Sequence, residues 1–344
     1  DSVPPSGVTS VGHVSTEPAP TPARSVGAAT VLARSRADLA AALEESPDPR
    51  AVVMTMGALH EGHFDLVREA ARRVGPAGTV VVTIFVNPLQ FAPTEDLDAY
   101  PRDLEGDLAG LARTLTGADG TLGVGRLIVF APTPEVIYPC GQPAVRIDPG
   151  PIATVLEGRT RPTHFAGVCQ VVLTLMHLTA PRWALFGRKD AQQLAIIESM
   201  VRDLAVPLEI VPVDIRRESD GLAMSSRNAY LSPEQRRQAL ALSRALQAGR
   251  DAAAQATGSR PDPVAIRQAA LASLEAADGV EIDYVALVAP DSFEDLAGAG
   301  LGLPRSEPAG EDEGEGLPAV GLLAVAARVG TTRLIDNTLI DLRP

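Results

Sequence analysis

Aromatic residues make up only 3% of this 344-residue chain, so aliphatic side chains must fill its core. The hydrophobic share of 45% is ample for that task. The two cysteines, Cys140 and Cys169, exclude a disulfide framework and a cysteine-built zinc cluster. No apolar run approaches the ~18–20 residues that a membrane-spanning helix needs. The first 29 residues have no charged segment followed by an apolar one, so they do not read as a secretory signal, and a cytoplasmic protein is expected. Positive charge is in deficit, with a formal net charge of −13. That argues against nucleic-acid binding, which needs a basic face. An anionic substrate would have to be met by a few placed Arg and Lys residues acting against the global charge.

Residues 1–29 are rich in Pro, Ser, Thr and Ala and read as a disordered tail. A helix is expected over Ser35–Leu43 and a strand over Ala51–Thr55. Phe64, Val67, Ala70, Ala71 and Val74 then recur at helical spacing. Thr79–Val86 is a continuous, largely β-branched run, as in a strand covered on both faces. Asp103–Leu115 reads as a helix, Leu127–Ala131 as a strand and Val168–Leu178 as a buried helix. Trp183–Phe186 is a short strand, Asp190–Leu204 a helix and Leu208–Val213 another strand. This alternation predicts an α/β, Rossmann-like, doubly wound parallel sheet over residues 30–215.

The pattern changes after about Ile215. Helices over Pro233–Ala256 and Asp262–Ala277 precede strands over Glu281–Val288, Gly321–Arg328 and Thr332–Thr338. They predict a smaller C-terminal α+β domain over 216–344. Gly302–Pro318 is acidic and rich in Gly and Pro, and reads as a mobile insertion between two strands. No internal repeat is visible.

The run Met56-Gly57-Ala58-Leu59-His60-Glu61-Gly62-His63 lies where a buried strand gives way to an amphipathic helix. Both histidines fall at a helix N-terminus, where unpaired N–H groups favour negative charge. The turn also lies at the carboxyl end of the strand, the edge at which open α/β sheets bind ligands. Taken alone, such histidines are more often polar surface residues or caps. Metal ligation is the weaker option, because the spacing is not HExxH.

Four further segments carry candidate chemistry. Asn87 and Gln90, in Phe85-Val86-Asn87-Pro88-Leu89-Gln90-Phe91, fall at the same sheet edge, and their carboxamides suit a small hydroxy acid. Asn-Pro is also an ordinary turn dipeptide. Arg159-Thr160-Arg161-Pro162-Thr163-His164-Phe165 sets cations beside a histidine ahead of a buried helix. Phe186-Gly187-Arg188-Lys189-Asp190-Ala191-Gln192-Gln193 again leaves a strand and opens a helix. There Lys189 is suited to phosphate and Asp190 to a ribose, although Asp190 also reads as a plain N-cap. Two hydroxyls and an arginine follow a glycine in Ser219-Asp220-Gly221-Leu222-Ala223-Met224-Ser225-Ser226-Arg227-Asn228, a set able to bind polyphosphate from one loop.

In order, these segments resemble the pantoate–β-alanine ligase family of adenylate-forming, nucleotidylyltransferase-like proteins. The resemblance runs from about Val31 to Leu342 and includes Ala326-Ala327-Arg328-Val329-Gly330-Thr331-Thr332-Arg333-Leu334-Ile335-Asp336-Asn337. It implies a two-step reaction. Pantoate attacks the α-phosphate of ATP, giving pantoyl adenylate and pyrophosphate, and the amine of β-alanine then displaces AMP. Magnesium is implied with ATP as co-substrate, and a homodimer is implied as the assembly. By the same resemblance His60, His63 and Lys189 are catalytic. ATP would be held by Met56, His60, His63, Gly187, Lys189, Asp190, Met224, Ser225, Ser226 and Arg227. Pantoate would be held by Met56, Asn87, Gln90 and Gln193, and Asp107 would help hold magnesium.

The chain departs from the family pattern at Met54, where Pro is usual, at Arg188, where Glu is usual, and at Ala191, where Tyr is usual. Asp214-Ile215-Arg216 also differs from the usual Pro-Thr/Ile-Val. These departures motivate a second reading, a divergent paralogue that joins another acid and amine through an acyl adenylate. A third reading, of a different class, is a nucleotide-binding protein without turnover.

Overall fold

Ala51, Val52 and Val53 are consecutive and all fully buried, which a strand permits only when both of its faces are covered. The computed structural model describes residues 24–25, 30–91, 97, 100–256, 259–304 and 317–344. Residues 1–23 and 26–29 of the expected tail, and 305–316 of the expected insertion, lie outside that set.

The first unit is a seven-stranded sheet. Its strands are β1 (Arg24–Ser25), β2 (Thr30–Ala33), β3 (Arg50–Thr55), β4 (Thr79–Ile84), β5 (Arg126–Phe130), β6 (Trp183–Gly187) and β7 (Glu209–Val213). Their spatial order is β1-β2-β5-β4-β3-β6-β7. All neighbours are parallel except β1, which runs antiparallel to β2. That pairing departs from the expectation of an unstructured tail: the free backbone edge of β2 is a template for another strand.

Alternation along the strands divides the core. Val52, Val81 and Ile128 face α1 (Arg36–Glu44), α6 (His164–Thr179) and α7 (Ala191–Asp203). Ala51, Val53, Val80 and Val82 face α2 (Glu61–Val74) and α3 (Leu104–Leu115). Two short helices, α4 (Pro134–Ile137) and α5 (Glu157–Thr160), lie in the long connection between β5 and α6. The predicted strand over Thr79–Val86 stops at Ile84, two residues early, as the chain swings toward Asn87.

The chain leaves β3 for β4 and β5 on one side, then returns to lay β6 and β7 on the other. The reversal therefore falls between β3 and β6, paired Ala51 to Trp183 and Val53 to Leu185. In open α/β sheets ligands bind at the carboxyl ends of the strands flanking such a switch point.

After β7 the chain enters a three-stranded antiparallel sheet of order β10-β9-β8, formed by β8 (Val280–Val288), β9 (Val320–Val329) and β10 (Thr332–Asp341). One face packs Leu287, Leu323 and Val325 against α8 (Pro233–Ala254) and α9 (Pro263–Glu275). The other face sets Tyr284, Ala286, Leu322 and Ala324 against Val155, Leu156 and Ala195 of the first unit. A register shift between Ile282 and Tyr284 marks a bulge at Asp283. Part of the predicted insertion is anchored: Leu303 is buried, and the carbonyl of Pro304 accepts a hydrogen bond from the Asp295 N–H.

Candidate active site

Beyond Thr55 the chain turns through Gly57, at φ +85°, and Ala58, at φ +52°. A non-glycine residue in this left-handed region costs roughly 1–2 kcal/mol. Asp107, reaching over from α3, holds the turn. Its Oδ2 accepts from the Ala58 N–H at 3.1 Å and its Oδ1 from the Leu59 N–H at 2.7 Å. Burial pushes its carboxyl above the usual carboxylate range, although both backbone bonds oppose that. This arrangement gives the carboxylate a structural task beside the magnesium role that the resemblance implies. Both carboxylate oxygens accept backbone bonds, and the side chain does not line the cavity described below. Among the described residues no group of three or more His, Cys, Asp or Glu could hold a metal ion.

His60 is the N-cap of α2. Its Nδ1 accepts from the Gly62 N–H at 3.1 Å, while His63 Nδ1 accepts from the His60 N–H at 3.3 Å. This is a capping box in which imidazoles replace the usual hydroxyl and carboxylate. Because each Nδ1 is an acceptor, each neutral ring carries its proton on Nε2. The ring centroids lie 4.1 Å apart. Burial, with the charge of Lys189 second, lowers His60, and burial together with His60 pushes His63 down to about 3. Both rings are thus neutral Nε2–H donors at a helix N-terminus, a setting for anionic oxygen.

β6 delivers the adjoining group. From Gly187 the chain enters a 3₁₀ turn, Arg188–Asp190, and then α7. Asp190 stands at the N-cap position of α7 but makes no side-chain cap bond; its Oδ1 lies 3.6 Å from Lys189 Nζ instead. Gln193, one turn along α7, lines the same cavity.

The carboxamides divide their work. Asn87 is buried: its Nδ2 donates to Gln90 Oε1 and to the Gly167 carbonyl, both at 3.0 Å, and its Oδ1 accepts from the Tyr138 hydroxyl at 2.9 Å. It stands behind Gln90, outside the residues that line the cavity. Gln90 does line it, with Nε2 directed at Met56 Sδ at 3.2 Å.

The second unit contributes Met224, Ser225, Ser226 and Arg227. Ser225 Oγ accepts from the Arg227 N–H at 3.3 Å, which curls the loop. These residues share one cavity of about 390 Å³ with Met56, His60, His63 and Gln90, and with Gly187, Lys189, Asp190 and Gln193. Of the predicted site residues, the structure thus brings all but Asn87 and Asp107 to one cavity.

Several lining residues had no role assigned from sequence. The Gln90 carbonyl meets the Arg161 guanidinium at 3.3 Å and His164 Nδ1 at 3.1 Å, so the Arg-Thr-Arg-Pro-Thr-His-Phe segment steadies the Gln90 loop. Glu157, Tyr284, Arg333, Asp336 and Asn337 also line the cavity. Arg333, Asp336 and Asn337 belong to the 326–337 segment that carries the family resemblance, whereas Glu157 and Tyr284 had no signal in sequence.

The sequence profile of the pantoate–β-alanine ligase family matches residues 30–339. The chain belongs to the pantoate–β-alanine ligase family. It is therefore an ATP-dependent ligase by enzyme class. Pantothenate synthetase from Nocardioides sp. is 49% identical over 318 residues, covering 91% of this chain and 86% of that protein. Pantothenate synthetase 4 from Frankia alni is 52% identical over 288 residues, covering 84% and 82%. Among solved structures, the pantothenate synthetase of Thermus thermophilus superposes with a TM-score of 0.75 at 39% identity, covering 91% of this chain and 99% of that one. The ligase of Francisella tularensis, complexed with β-γ ATP and β-alanine, gives 0.64 at 28% identity, covering 90% and 98%.

The departures from the family pattern prove to be connected. Arg188 Nε lies 3.2 Å from Asp214 Oδ1, so two of them pair with each other. Arg216 meets Glu61 at 3.4 Å and Asp65 at 3.3 Å on α2. Met54 and Ala191 both line the cavity.

Proposed function

We propose that this chain condenses pantoate with β-alanine to form pantothenate, converting ATP to AMP and pyrophosphate through a pantoyl adenylate. The observation that supports this best is one cavity at the β3/β6 switch point that joins a phosphate-suited set to an amide-suited set. His60, His63, Lys189, Ser225, Ser226 and Arg227 form the first, and Gln90, Gln193 and Met56 the second.

A pantoate carboxylate oxygen attacks the α-phosphorus, and the bond to the pyrophosphate oxygen breaks. No proton moves in this step, so the protein's task is to place two anions together and to receive charge on the leaving group. The two Nε2–H groups, Lys189 and Arg227 do this. In the second step the neutral amine of β-alanine attacks the acyl carbon, AMP leaves and the nitrogen gives up a proton. No covalent bond to the protein is needed. Gly187 and Asp190 take the ribose of ATP. Magnesium accompanies ATP as a counter-ion of its phosphates, and no step is assigned to a protein carboxylate holding it.

The direct test is AMP release with each of pantoate, β-alanine and ATP omitted in turn. AMP should appear only with all three, whereas pyrophosphate should exchange with ATP given pantoate alone. The lining by Met54 and Ala191 favours one competitor, ligation of a different acid. Exchange with another carboxylic acid but not with pantoate would establish it.

The same reading carries a cytoplasmic homodimer that uses neither nucleic acid nor membrane as a partner. Among the described residues no helix is long and apolar enough to cross a membrane. Light scattering should return twice the 35.9 kDa chain mass.

A further inference from the structure

Asn337 lies on β10 of the second unit, yet its side chain binds the first. Its Nδ2 donates to the carbonyl of Arg188 at 3.0 Å and to that of Lys189 at 2.9 Å. Both N–H bonds of one buried amide are therefore spent on the turn that carries Lys189. Beside these bonds the turn has the exposed Arg188–Asp214 pair and the Lys189–Asp190 pair. It is a single 3₁₀ turn, and neither Gly187 nor Asp190 provides a side-chain cap.

The strand that presents Asn337 is braced on both sides. Asp336, next in line, takes two hydrogen bonds from Arg217 at 2.7 and 2.9 Å, and its Oδ1 accepts the Asn337 N–H at 2.8 Å. Arg333 grips Glu157 of the first unit through Nη1 at 2.7 Å and Nη2 at 2.8 Å, and Asp283 through Nε at 2.8 Å. The bulge at Asp283 sits where that carboxylate is needed. Tyr284 donates to Glu157 at 2.9 Å and completes the cluster. The Arg333 carbonyl in turn accepts from Arg227 Nη1 at 3.4 Å. One strand thus touches both phosphate-suited cations, Arg227 at one end and the Lys189 turn at the other. Four residue steps of extended chain separate the contacts, about 13 Å.

We propose that Asn337 is a positioning residue for adenylate formation, fixing the Lys189 turn of the first unit against a strand of the second that also carries the contact to Arg227. The proposal rests on the phosphate role given to Lys189 above. With both amide hydrogens spent on the turn, Asn337 acts through the backbone of Lys189. A clamp of this kind makes the spacing of the two cations a property of β10, so the site is complete only when both units are docked.

The test is a double-mutant cycle in the full chain, with single-turnover pyrophosphate release from ATP and pantoate as the readout. Asn337→Ala should slow release on the order of 10- to 100-fold, the scale of misplacing a charged group by about an ångström. The KM for pantoate should stay within about twofold, because Gln90 and Gln193 are untouched. Adding Asn337→Ala to Lys189→Ala should bring a clearly smaller loss than Asn337→Ala brings alone, since the cation is gone and only Gly187 and Asp190 remain to be positioned. A residue that merely glues the units together would instead slow the reaction equally with Lys189 present or absent. If the alanine variant fails to fold, Asn337→Asp keeps the shape without the donors and should show at least the same loss. A full rate in Asn337 variants beside a slow Lys189→Ala, or losses that multiply, overturns the proposal. A full rate in Lys189→Ala itself marks failure of the underlying phosphate reading instead.

Discussion

The backbone N–H of Leu59 donates a 2.7 Å hydrogen bond to Oδ1 of Asp107, and the contact sets where the histidine helix begins. With the matching bond to Ala58 it stabilises a turn that holds alanine in a left-handed conformation. Asp107→Ala should destabilise the fold by about 1–3 kcal/mol, because two partly buried donors lose their acceptor. Denaturant melts check this. A milder Asp107→Asn variant should slow adenylation without moving the magnesium concentration for half-maximal rate. A rise in that concentration would restore the carboxylate as a metal ligand.

The neutral histidines give stability a pH dependence. The folded-state pKa of His63 is about 3 and that of an exposed histidine is 6.5, so between those values the unfolded chain binds more protons. Stability should therefore fall as pH drops below about 6.5. The depressed His60 adds in the same direction. At pH 5 the His63 contribution is about 2 kcal/mol. Unfolding free energies at pH 7 and pH 5 check it: His63→Ala should flatten the slope relative to the parent chain.

Gln90 is held from behind by Asn87 and from its carbonyl by Arg161 and His164. Gln90→Ala should raise the KM for pantoate about tenfold, the worth of a placed amide, and leave that for ATP alone. Steady-state kinetics with each substrate varied separate the two. Asn87→Ala should weaken pantoate binding in the same direction, acting through Gln90.

The Arg188–Asp214 pair should matter little to folding. Asp214 is 97% exposed and Arg188 36% exposed, so solvent screens them. Arg188→Ala should shift stability by less than ~0.5 kcal/mol. A larger change would mean that Arg188 serves the Lys189 turn in a second way.

How much of this was legible in sequence follows from the range of each interaction. The β-branched run Thr79–Ile84 and the spacing of Phe64, Val67 and Val74 declare their elements within a few residues, and the strands and helices stand close to where patterning places them. The motifs that follow β3, β4 and β6 were legible for the same reason, since each leaves one strand end; those over residues 159–165 and 219–228 do not. What stayed illegible is where a side chain answers to a distant partner. Asp107 reads as a free carboxylate because nothing local shows Ala58 and Leu59, 49 and 48 positions away. Asp190 reads as a cap because the pull of Lys189 is a matter of rotamer rather than of spacing. The pairing of Arg333 with Glu157 spans 176 positions and leaves no periodic trace.

Gly167 closes the account of the pantoate end. A methyl group at this position would collide with the carbonyl of Leu89, so the Pro88–Gln90 turn lies directly on the backbone of α6. A loop seated on a helix in this way cannot swing to admit a ligand. On the proposed reading the acid would enter a slot cast in advance, which spares the ordering entropy of a closing loop. Accommodation of ligands of different shape is then left to the nucleotide side, where two units meet.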